Sequence, residues 1–510
     1  MPLAHADACN LTVTLLDEQI AAGLGGKKAI VAGQRRVSYE ALLLRVRQAC
    51  ALPGLRDLPP GALVALVFDD QLDAAIALLA VMRLGLVACQ LNPGLAAERL
   101  EQQVRHGGCA AALCCPAGAA KLAGWQEQGG ALHVVAPSLG GENADDSCHL
   151  GPAARPAFCL FTSGTTGQPS AVLHRHADVD ATWRQYGSII AAIGADDILF
   201  TSSKLFYAYG LNALFFALRA GATLVLAPEP LDAARIWQTL RDERVTVCFC
   251  VPTIYARLLD AADIPALPAL RLAVSAGENL PLALYENWRR HVKAPLIDGI
   301  GTTETLSTFI SNRPYAVRPG SSGQLVPGFI ARIVDTDGKP VAPGEVGALW
   351  IKGDTYIPGY HNAPEATVAR FVDGWFATND LFSCDTDGYF YYHGRASEII
   401  KCGGIWIYPS RVEDVLMTHP AVLECAVAGQ RQDNGLQRPA AWVVLKSGHA
   451  QSPALAGMLQ GHCKDSLSSL EYPHFIHFTD DIPKTATGKK MRFQLAGSTT
   501  LKENQHVRMP

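Results

Sequence analysis

The sequence predicts an α/β protein, with a large N-terminal domain of parallel-rich sheets, helices and an antiparallel β subdomain, and a small α+β C-terminal domain. Three observations support this. Short apolar runs alternate with helical patterns in the first half, hairpin-like patterns begin near residue 320, and a new strand–helix unit begins after about residue 395. At 510 residues the chain also exceeds the roughly 250–300 residues at which one core stops growing.

The elements of the first half follow from the spacing of apolar residues. The continuous apolar run at 62–68 (ALVALVF) predicts a buried strand, and residues 73–85 predict a helix that ends at a glycine. Further predicted elements are strands at 222–227, 246–252 and 270–277 and a helix at 233–243. Strands that alternate with helices of about 10–15 residues indicate largely parallel sheets.

The second half of the sequence predicts two other types of structure. From residue 321 to 353, D-G and P-G turns separate alternating apolar residues, a pattern typical of antiparallel hairpins. Later come a helical pattern (RVEDVLMTH) and two strand patterns (ECAVAG and AAWVVL). We therefore expect two domains, 1–395 and 396–510, with a boundary near the segment Gly394-Arg395-Ala396-Ser397.

The composition excludes several classes of protein. A net charge of −4 argues against a nucleic-acid or anionic-membrane partner, which would require a basic excess. The most apolar stretch, 63–91, contains three aspartates and an arginine and is not a membrane span. The 14 cysteines form no C-x-x-C pair, and the N-terminus lacks a signal-peptide pattern, so we expect free thiols in a cytoplasmic protein.

A run of hydroxyl residues and glycines suggests an anion-binding loop. It comprises Thr162, Ser163, Gly164, Thr165, Thr166 and Gly167. Such a run disfavours helix or strand, and its N–H groups and hydroxyls can wrap a phosphate. The following residues, Gln168-Pro169-Ser170-Ala171, include no lysine. By itself the run is equally compatible with an ordinary turn.

Several motifs follow this loop along nearly the whole chain. They are GENLP (277–281), DGIGTTET (298–305), GYHN (359–362), DGWFATNDLF (373–382), DGYFYYHGRASEIIKCGG (387–404) and IPKTATGKKMR (482–492). With these motifs in this order, the chain resembles the adenylate-forming superfamily of acyl- and aryl-CoA synthetases, peptide-synthetase adenylation domains and luciferases. The resemblance implies that a carboxylate attacks the α-phosphate of ATP, and that a thiol then displaces AMP from the acyl-adenylate.

The resemblance also implies roles for individual residues. Lys489 matches the catalytic lysine, Glu304 the Mg²⁺-associated glutamate and Thr303 a contact to the α-phosphate. Asp380 matches the aspartate that binds the ribose hydroxyls, and Arg395 a second nucleotide-positioning residue. The adenine cradle corresponds to Gly277, Glu278, Asp298, Gly299 and Ile300. A cation and Mg²⁺ suit this chemistry because negative charge accumulates at the α-phosphoryl group beside an anionic nucleophile.

The chain departs from the family's pattern at three of these motifs. The lysine of the phosphate loop is replaced by Ser170, which predicts a weaker hold on the outer phosphates of ATP. Asn379 replaces the glycine before the ribose-binding aspartate. Ser397 replaces the hinge aspartate, about which the C-terminal domain of the family rotates between its two half-reactions. A small serine should still allow that rotation.

The predicted acid pocket lies in the segment KLFYAYGLNALFF (204–216), which resembles the pocket segment of benzoate- and anthranilate-CoA ligases. Ala208, Tyr209 and Gly210 would form one wall, while Gly301 and Ser307 would lie opposite. Here the segment is one glycine shorter, and Ser307 stands where aryl ligases often have histidine. We expect an amino- or hydroxybenzoate as substrate, since Ser307 offers a hydroxyl to a ring substituent. The alternative is that this aromatic-rich segment is merely core.

The acceptor thiol is expected to reach the site past Gly403 and Gly404, where the family lines its pantetheine tunnel. ATP, Mg²⁺ and coenzyme A are therefore the expected cofactors and co-substrates. We expect a monomer or homodimer with small-molecule partners. Two alternatives stay open: a stand-alone adenylation enzyme that loads a carrier protein, and a slow nucleotide-binding regulatory paralogue.

Overall fold

The first half of the chain alternates strands with helices, as the sequence predicts. The computed structural model describes residues 9–134, 143–162, 169–228, 230–261, 263–402, 405–432, 436–468, 470–484 and 490–497. Up to Thr182, the strands and α-helices are β1 (Lys28–Ala32), β2 (Arg35–Ser38), α1 (Tyr39–Cys50), β3 (Leu63–Val67), α2 (Gln71–Arg83), β4 (Val87–Gln90), α3 (Ala97–Gly107), β5 (Ala111–Cys114), α4 (Pro116–Lys121), α5 (Ala123–Glu127), β6 (Ala131–Val134), β7 (Pro156–Thr162), β8 (Ser170–Arg175) and α6 (His176–Thr182). Short π-helical segments occupy Val13–Asp17, Ile20–Leu24 and Trp183–Ser188.

The alternation continues to Ser311 and then gives way to strands. The next elements are β9 (Ile198–Thr201), α7 (Ala208–Ala220), β10 (Thr223–Leu226), α8 (Ala233–Asp242), β11 (Val247–Cys250), α9 (Pro252–Leu259), β12 (Leu272–Ser275), α10 (Leu282–His291), β13 (Leu296–Gly301), a 3₁₀ turn (Thr303–Thr305) and β14 (Thr308–Ser311). The strand-rich part comprises β15 (Gln324–Leu325), β16 (Phe329–Val334), β17 (Gly347–Gly353), α11 (Pro364–Arg370), β18 (Phe371–Val372), β19 (Trp375–Cys384) and β20 (Phe390–Arg395).

The C-terminal part mixes helices and strands. After the 3₁₀ turn Ala396–Glu398 come β21 (Ile400–Cys402), β22 (Ile405–Ile407), α12 (Pro409–Met417), β23 (Val422–Arg431), β24 (Gln437–Leu445), α13 (Pro453–Ser466), β25 (Phe475–Phe478) and α14 (Arg492–Gly497). In its main sheet β23 and β24 are antiparallel, while β24 and β25 are parallel. The division of the chain into domains 1–395 and 396–510 stays a prediction.

Two large sheets, which we call sheet A and sheet B, form the framework of the N-terminal part. Sheet A has the order β6-β5-β3-β4-β7-β8, and sheet B the order β15-β14-β13-β12-β11-β9-β10-β1-β2. In sheet A only the β7–β8 pair is antiparallel. Sheet B is parallel from β13 to β1 and antiparallel at both ends. The predicted parallel-rich architecture is confirmed.

A layer of buried helices joins these two sheets. Helix α2 is apolar on nearly all sides, and α7 shares its core with Phe158 of sheet A and Phe249 of sheet B. A helix that is apolar all round must be buried, which explains why α2 lies inside the molecule. Asp70 caps α2 by accepting hydrogen bonds from the backbone N–H groups of Leu72 (2.9 Å) and Asp73 (3.1 Å).

The third sheet is the predicted antiparallel subdomain. It has the order β16-β17-β19-β18, and β20 pairs with β19. Its β19–β20 pairing places Asp380 directly opposite Arg395. Two nucleotide-binding candidates thus lie side by side because of strand register.

Two expectations from composition can be compared with this structure. The fourteen cysteines are free thiols, as predicted. Within the described residues, the structure contains no helix with both the length and the apolar character needed to span a bilayer.

Candidate active site

The candidate phosphate loop lies between the last two strands of sheet A. Thr162 ends β7 and pairs with Ser170, which begins β8. The loop is therefore anchored at both ends by an antiparallel pair. Of the predicted phosphate-binding residues, Thr162 is described, whereas Ser163, Gly164, Thr165, Thr166 and Gly167 lie outside the described residues.

The turn at residues 302–307, which we call the catalytic turn, carries Thr303 and Glu304. Its Leu306 has a φ of 56°, in a region that non-glycine residues rarely adopt. Other parts of the chain hold four consecutive carbonyls of the turn. These contacts are His174 Nε2 to the Thr303 carbonyl (2.7 Å), the Ile357 N–H to Glu304 (3.0 Å), Thr355 Oγ1 to Thr305 (2.6 Å) and Asn212 Nδ2 to Leu306 (2.5 Å). The strained turn is thus held from several directions.

Glu304 is nearly buried, with 7% of its surface exposed, and the hydroxyl of Tyr360 donates a hydrogen bond to its Oε1 at 2.6 Å. Burial and the adjacent carboxylate raise the pKa of Tyr360 well above its usual value, so Tyr360 stays protonated as a donor. This contact leaves Oε2 of Glu304 for another partner. The sequence contained Tyr360 within GYHN, but that motif by itself assigned it no role.

His174 connects the phosphate-loop strand to the catalytic turn. Because a carbonyl can only accept, the Nε2 of His174 is the donor to Thr303. The other ring nitrogen, Nδ1, lies 3.6 Å from Oδ2 of Asp178. Although burial by itself would raise it, the pKa of Asp178 is lowered, because His174 and Arg175 surround it. The sequence did not identify this contact, because His174 and Thr303 are 129 positions apart.

The predicted adenine cradle combines the carboxyl ends of β12 and β13, where parallel sheets commonly bind ligands. Gly277 follows β12 with a φ of 92°, and Asp298, Gly299 and Ile300 lie within β13. A Cβ on Gly299 would lie 2.7 Å from Thr308 Cγ2 and 3.0 Å from the Ile310 carbonyl. The close approach of β14 therefore gives Gly299 a packing reason to be glycine.

Two carboxyl groups belong to this cradle: Asp298 is buried, and Glu278 is half-buried. Burial raises the pKa of Asp298 well above its usual value. Burial also raises the pKa of Glu278, against the opposing positive charge of Lys490, and Thr253 donates a hydrogen bond to its Oε2 at 2.9 Å. The charge of a C-terminal lysine thus reaches the predicted nucleotide site.

The predicted ribose site is formed by β19 and β20. The Nε of Arg395 lies 3.6 Å from Oδ1 of Asp380, which is 6% exposed. The preceding residue, Asn379, has a φ of 64°. Asparagine is one of the few residues other than glycine that tolerate this left-handed conformation. The departure from glycine therefore preserves the backbone that leads into Asp380.

The predicted hinge is followed by a network of ion pairs. Ser397 is exposed within the Ala396–Glu398 turn. Beside it, Glu398 accepts from Arg492 at 2.7 Å, and Arg492 also binds Glu413 at 2.9 Å. The base of the predicted hinge is thus tied to helix α12.

The predicted catalytic lysine lies within a segment anchored on both sides. Lys489 itself is outside the described residues, as are Gly403 and Gly404 of the predicted thiol tunnel. Lys484 and Lys490 pair across the segment as an antiparallel bridge. Lys484 binds Glu424 at 2.9 Å, and Lys490 binds Glu413 at 3.0 Å.

The predicted acid pocket is built around the start of helix α7. Ala208 is its first residue, followed by Tyr209 and Gly210. The hydroxyl of Tyr209 donates to the Val274 carbonyl at 2.9 Å, and its ring meets Phe249 edge-on at a centroid distance of 5.9 Å. The hydroxyl is thus turned into sheet B, which leaves only the ring for contact with an acid.

The opposite wall follows the catalytic turn. Gly301 ends β13, and Ser307 is almost completely buried, with 1% of its surface exposed. The Oγ of Ser307 donates to the Thr308 carbonyl at 3.2 Å. Its hydroxyl proton is engaged, so toward another group this oxygen is an acceptor.

A cavity of about 350 Å³ lies beside the acid-pocket segment. Its polar lining includes Asp69, Gln71, Gln90, Asn92 and Lys204. Asn92 Nδ2 lies 3.5 Å from the Tyr207 hydroxyl, immediately before the predicted wall at Ala208. The sequence did not predict this space, because its lining joins the ends of β3 and β4 to the loop before α7.

Comparison with known proteins identifies the class that this fold and site define. The sequence profile described as "AMP-binding enzyme" matches residues 17–361, and the profile "AMP-binding enzyme C-terminal domain" matches residues 411–489. The chain therefore belongs to the AMP-binding enzyme family, the adenylate-forming superfamily that its motifs resemble. The prediction of an AMP-forming acid–thiol ligase is confirmed.

Particular relatives are similar over nearly the whole chain. The chain is 35% identical to the benzoate–CoA ligase of Thauera aromatica over 515 residues, covering 95% of each protein. It is 35% identical to the 4-hydroxybenzoate–CoA/benzoate–CoA ligase of Rhodopseudomonas palustris, covering 96% of this chain and 94% of the relative. The crystal structure of the anthranilate CoA ligase AuaEII with anthranoyl-AMP superposes with a TM-score of 0.91 at 30% identity, covering 97% of this chain and 98% of the other.

Proposed function

We propose that this protein is an ATP-dependent, AMP-forming ligase that adenylates an amino- or hydroxy-substituted benzoate and transfers the acyl group to coenzyme A. The observation that carries the proposal is the direct contact between the predicted acid-pocket helix and the catalytic turn, Asn212 Nδ2 to the Leu306 carbonyl at 2.5 Å. The names of the relatives, which act on benzoate, hydroxybenzoate or anthranilate, support an aryl acid.

In the adenylation step, the phosphate loop and the catalytic turn bind the triphosphate. Thr303 contacts the α-phosphate and Lys489 offsets the charge that develops there as the carboxylate attacks. Asp380 and Arg395 position the ribose, while Gly277, Glu278, Asp298, Gly299 and Ile300 receive the adenine. Pyrophosphate leaves when the acyl-adenylate forms.

Glu304 would hold Mg²⁺ in this step. Its buried carboxylate is a hard oxygen donor, and Tyr360 engages only its Oε1. Within the described residues no group of three or more His, Cys, Asp or Glu side chains could hold a metal ion. A single carboxylate such as Glu304 fits Mg²⁺, because this ion commonly takes one or two carboxylates together with substrate phosphates and water. The ion would supply positive charge beside the phosphates.

In the thioester step, the acceptor thiol displaces AMP. We assign Ser397 as the hinge and Gly403 and Gly404 as the lining of the thiol path, which divides the chain into domains 1–395 and 396–510. The cavity of about 350 Å³ beside Asn92 suits a slender, amide-bearing arm because amide side chains line it. Coenzyme A and a carrier protein's phosphopantetheine present the same arm.

The test is ATP–pyrophosphate exchange with purified protein over benzoates, cinnamates and aliphatic acids, followed by addition of coenzyme A. We expect exchange with aryl acids and acyl-CoA formation without a protein partner. Exchange with medium-chain fatty acids and none with aryl acids would refute the aryl substrate. Exchange without acyl-CoA formation would instead favour loading of a carrier protein, and nucleotide binding without exchange would favour a regulatory paralogue.

A further inference from the structure

Three cysteines meet on the face of sheet A that helix α3 covers. Cys89 in β4 lies directly opposite Cys159 in the neighbouring parallel strand β7. Both are completely buried in the core formed with Leu100 and Val104 of α3, and the partly exposed Cys109 packs against the same core. The neighbouring thiols of Cys109 and Cys159, followed by burial, raise the pKa of Cys89. We call Cys89, Cys109 and Cys159 the thiol cluster.

Within this cluster Cys109 is the thiol that a reagent from solution reaches first. It lies between the end of α3 at Gly107 and the start of β5 at Ala111, outside both elements. Oxidant-sensitive cysteines are solvent-accessible and lie beside a second cysteine that reacts with the oxidised one. Cys109 has the exposure, and the buried Cys89 is the neighbouring thiol.

The end of α3 also touches the strand that leads into the candidate phosphate loop. A Cβ on Gly107 would lie 3.4 Å from the Sγ of Cys109 and 3.6 Å from the Cζ of Phe161, so the sulfur and this ring pack around the same glycine. Phe161 directly precedes Thr162, the last described residue before the phosphate loop. A displacement of Cys109 is therefore transmitted to the base of that loop.

A second contact joins the end of α3 to the catalytic turn. The Nδ2 of Asn362 donates to the carbonyl of His106, three residues before Cys109, at 3.2 Å. Asn362 belongs to the GYHN motif, whose Tyr360 donates to Glu304. The end of α3 thus contacts both segments that we assign to the triphosphate and its Mg²⁺.

We propose that the thiol cluster is a site of reversible oxidation, at which hydrogen peroxide joins Cys109 to Cys89 in a disulfide and thereby slows adenylation. The sulfur of Cys109 attacks one peroxide oxygen and the O–O bond breaks. The thiol proton passes to the departing hydroxide, which leaves a sulfenic acid and one water. The sulfur of Cys89 then attacks the sulfenic sulfur, the S–O bond breaks, and the proton of Cys89 leaves with that hydroxide as a second water.

Two electrons pass from the two thiols to the peroxide, and a dithiol reductant restores both thiols by exchange. The new bond draws the two sulfur atoms closer than unbonded thiols approach. The end of α3 must follow, and it carries the contacts to Phe161 and Asn362. This inference goes beyond the proposed function, since it applies to whichever acid the enzyme adenylates.

The first test treats the unaltered protein with hydrogen peroxide in the absence of coenzyme A and other thiols. Tryptic cleavage places Cys89 in the peptide 84–99 and Cys109 in the peptide 106–121, so mass spectrometry without reduction detects their bond as a joined pair. Fragmentation distinguishes Cys109 from Cys114 and Cys115 of the same peptide. As the joined pair accumulates, we expect ATP–pyrophosphate exchange to fall about 10- to 100-fold, the scale of a displacement of about 1 Å near reacting groups. Dithiothreitol should reverse both changes.

The second test compares Cys109→Ser with Cys115→Ser. Cys115 is a partly exposed thiol of the same peptide, and serine there can still accept from the Gly118 N–H, as the Cys115 Sγ does at 3.4 Å. In peroxide, Cys109→Ser should keep its exchange rate, whereas Cys115→Ser should lose it as the unaltered protein does. A third variant, Cys89→Ala, keeps Cys109 without its partner. It should give a sulfenic acid that dimedone traps and no joined pair.

Several results would overturn the proposal. One is the loss of the Cys109 thiol without a joined pair, or with a bond to a cysteine other than Cys89. Another is an exchange rate that peroxide lowers equally in Cys109→Ser and in the unaltered protein. A joined pair that leaves the exchange rate unchanged would likewise show that oxidation at this cluster does not control adenylation.

Discussion

Tyr360 donates its hydroxyl to Oε1 of Glu304 at 2.6 Å, although 56 positions separate the two residues. Two separate motifs of the sequence, DGIGTTET and GYHN, therefore meet at one carboxylate. The contact restrains a side chain that the proposed function assigns to Mg²⁺, and it gives the first prediction.

Removing this hydroxyl should weaken adenylation. Hydrogen bonds to a charged group contribute about 1.5–3 kcal/mol, so Tyr360→Phe is expected to lower pyrophosphate exchange about 10- to 100-fold and to raise the Mg²⁺ concentration for half-maximal rate. The measurement is exchange as a function of Mg²⁺ concentration. Tyr356→Phe is the matched control, because both tyrosine rings contact Phe371: Tyr360 lies edge-on to it at a centroid distance of 5.5 Å, and Tyr356 stacks on it at 6.4 Å. Equal effects of both variants would contradict the assigned role.

Lys489 and Lys490 are adjacent, but we expect Lys489 to act in catalysis and Lys490 to stabilise the fold. Lys489→Ala is expected to lower adenylation about 100- to 1000-fold, as the loss of a group that stabilises transition-state charge does. It should largely spare thioester formation from supplied acyl-adenylate and leave the unfolding temperature unchanged. The measurement is the rate of each half-reaction, and an equal loss in both would remove Lys489 from the proposed role.

Lys490→Met is the comparison for that experiment. Lys490 forms an ion pair with Glu413 at 3.0 Å and donates to the Cys425 carbonyl at 2.6 Å, which are contacts within the C-terminal part. Because its removal disrupts a buried network, we expect a lower unfolding temperature. Calorimetry measures the unfolding temperature of both variants, and it should be lowered in Lys490→Met but unchanged in Lys489→Ala.

Restoring a lysine at position 170 should strengthen nucleotide binding. Ser170 lies at the base of the candidate phosphate loop, paired with Thr162. A flexible lysine there would contact the outer phosphates, so Ser170→Lys is expected to lower the KM for ATP about threefold to tenfold without changing acid preference. Ser170→Met adds a side chain of similar length without charge and should leave the KM unchanged. A change in acid preference would contradict the assignment to phosphate binding.

His176 should make folding sensitive to acid. Burial, with smaller contributions from Arg155 and His149, lowers the pKa of His176 to about 3, and its Nδ1 accepts from the Leu11 N–H at 3.1 Å. The unfolded chain takes up a proton on His176 near pH 6.5, whereas the folded chain does not. The contribution of the neutral His176 to the free energy of unfolding is therefore complete above about pH 6.5, and it is lost as the pH falls toward 3. Between pH 6.5 and 5 the loss is about 2 kcal/mol.

The variant that tests this is His176→Asn, whose side-chain oxygen can still accept from Leu11. We expect its unfolding free energy to fall about 2 kcal/mol less than that of the unaltered protein between pH 7.5 and 5. Urea unfolding at both pH values measures it. His291→Asn, at an exposed position, is the control, and an unchanged pH dependence in His176→Asn would refute the prediction.

The sequence predicted much of the fold because its signals are local. Apolar runs predicted β3, β10, β11 and β12, and Gly85 predicted the end of α2, since capping and periodicity act over a few residues. The departure at Asn379 was also visible, but only its φ of 64° shows why asparagine suits that position.

The sequence by itself determined the class of architecture, the order of the motifs and hence the family. Tertiary structure decided which side chains meet. His174, Asn212, Thr355 and Tyr360 each hold the catalytic turn, yet they lie 129, 94, 50 and 56 positions from their partners. No local periodicity encodes such contacts, because they depend on how sheets A and B and the third sheet pack. Hydrogen-bonding geometry is specific to within tenths of an ångström, and only the folded chain establishes it.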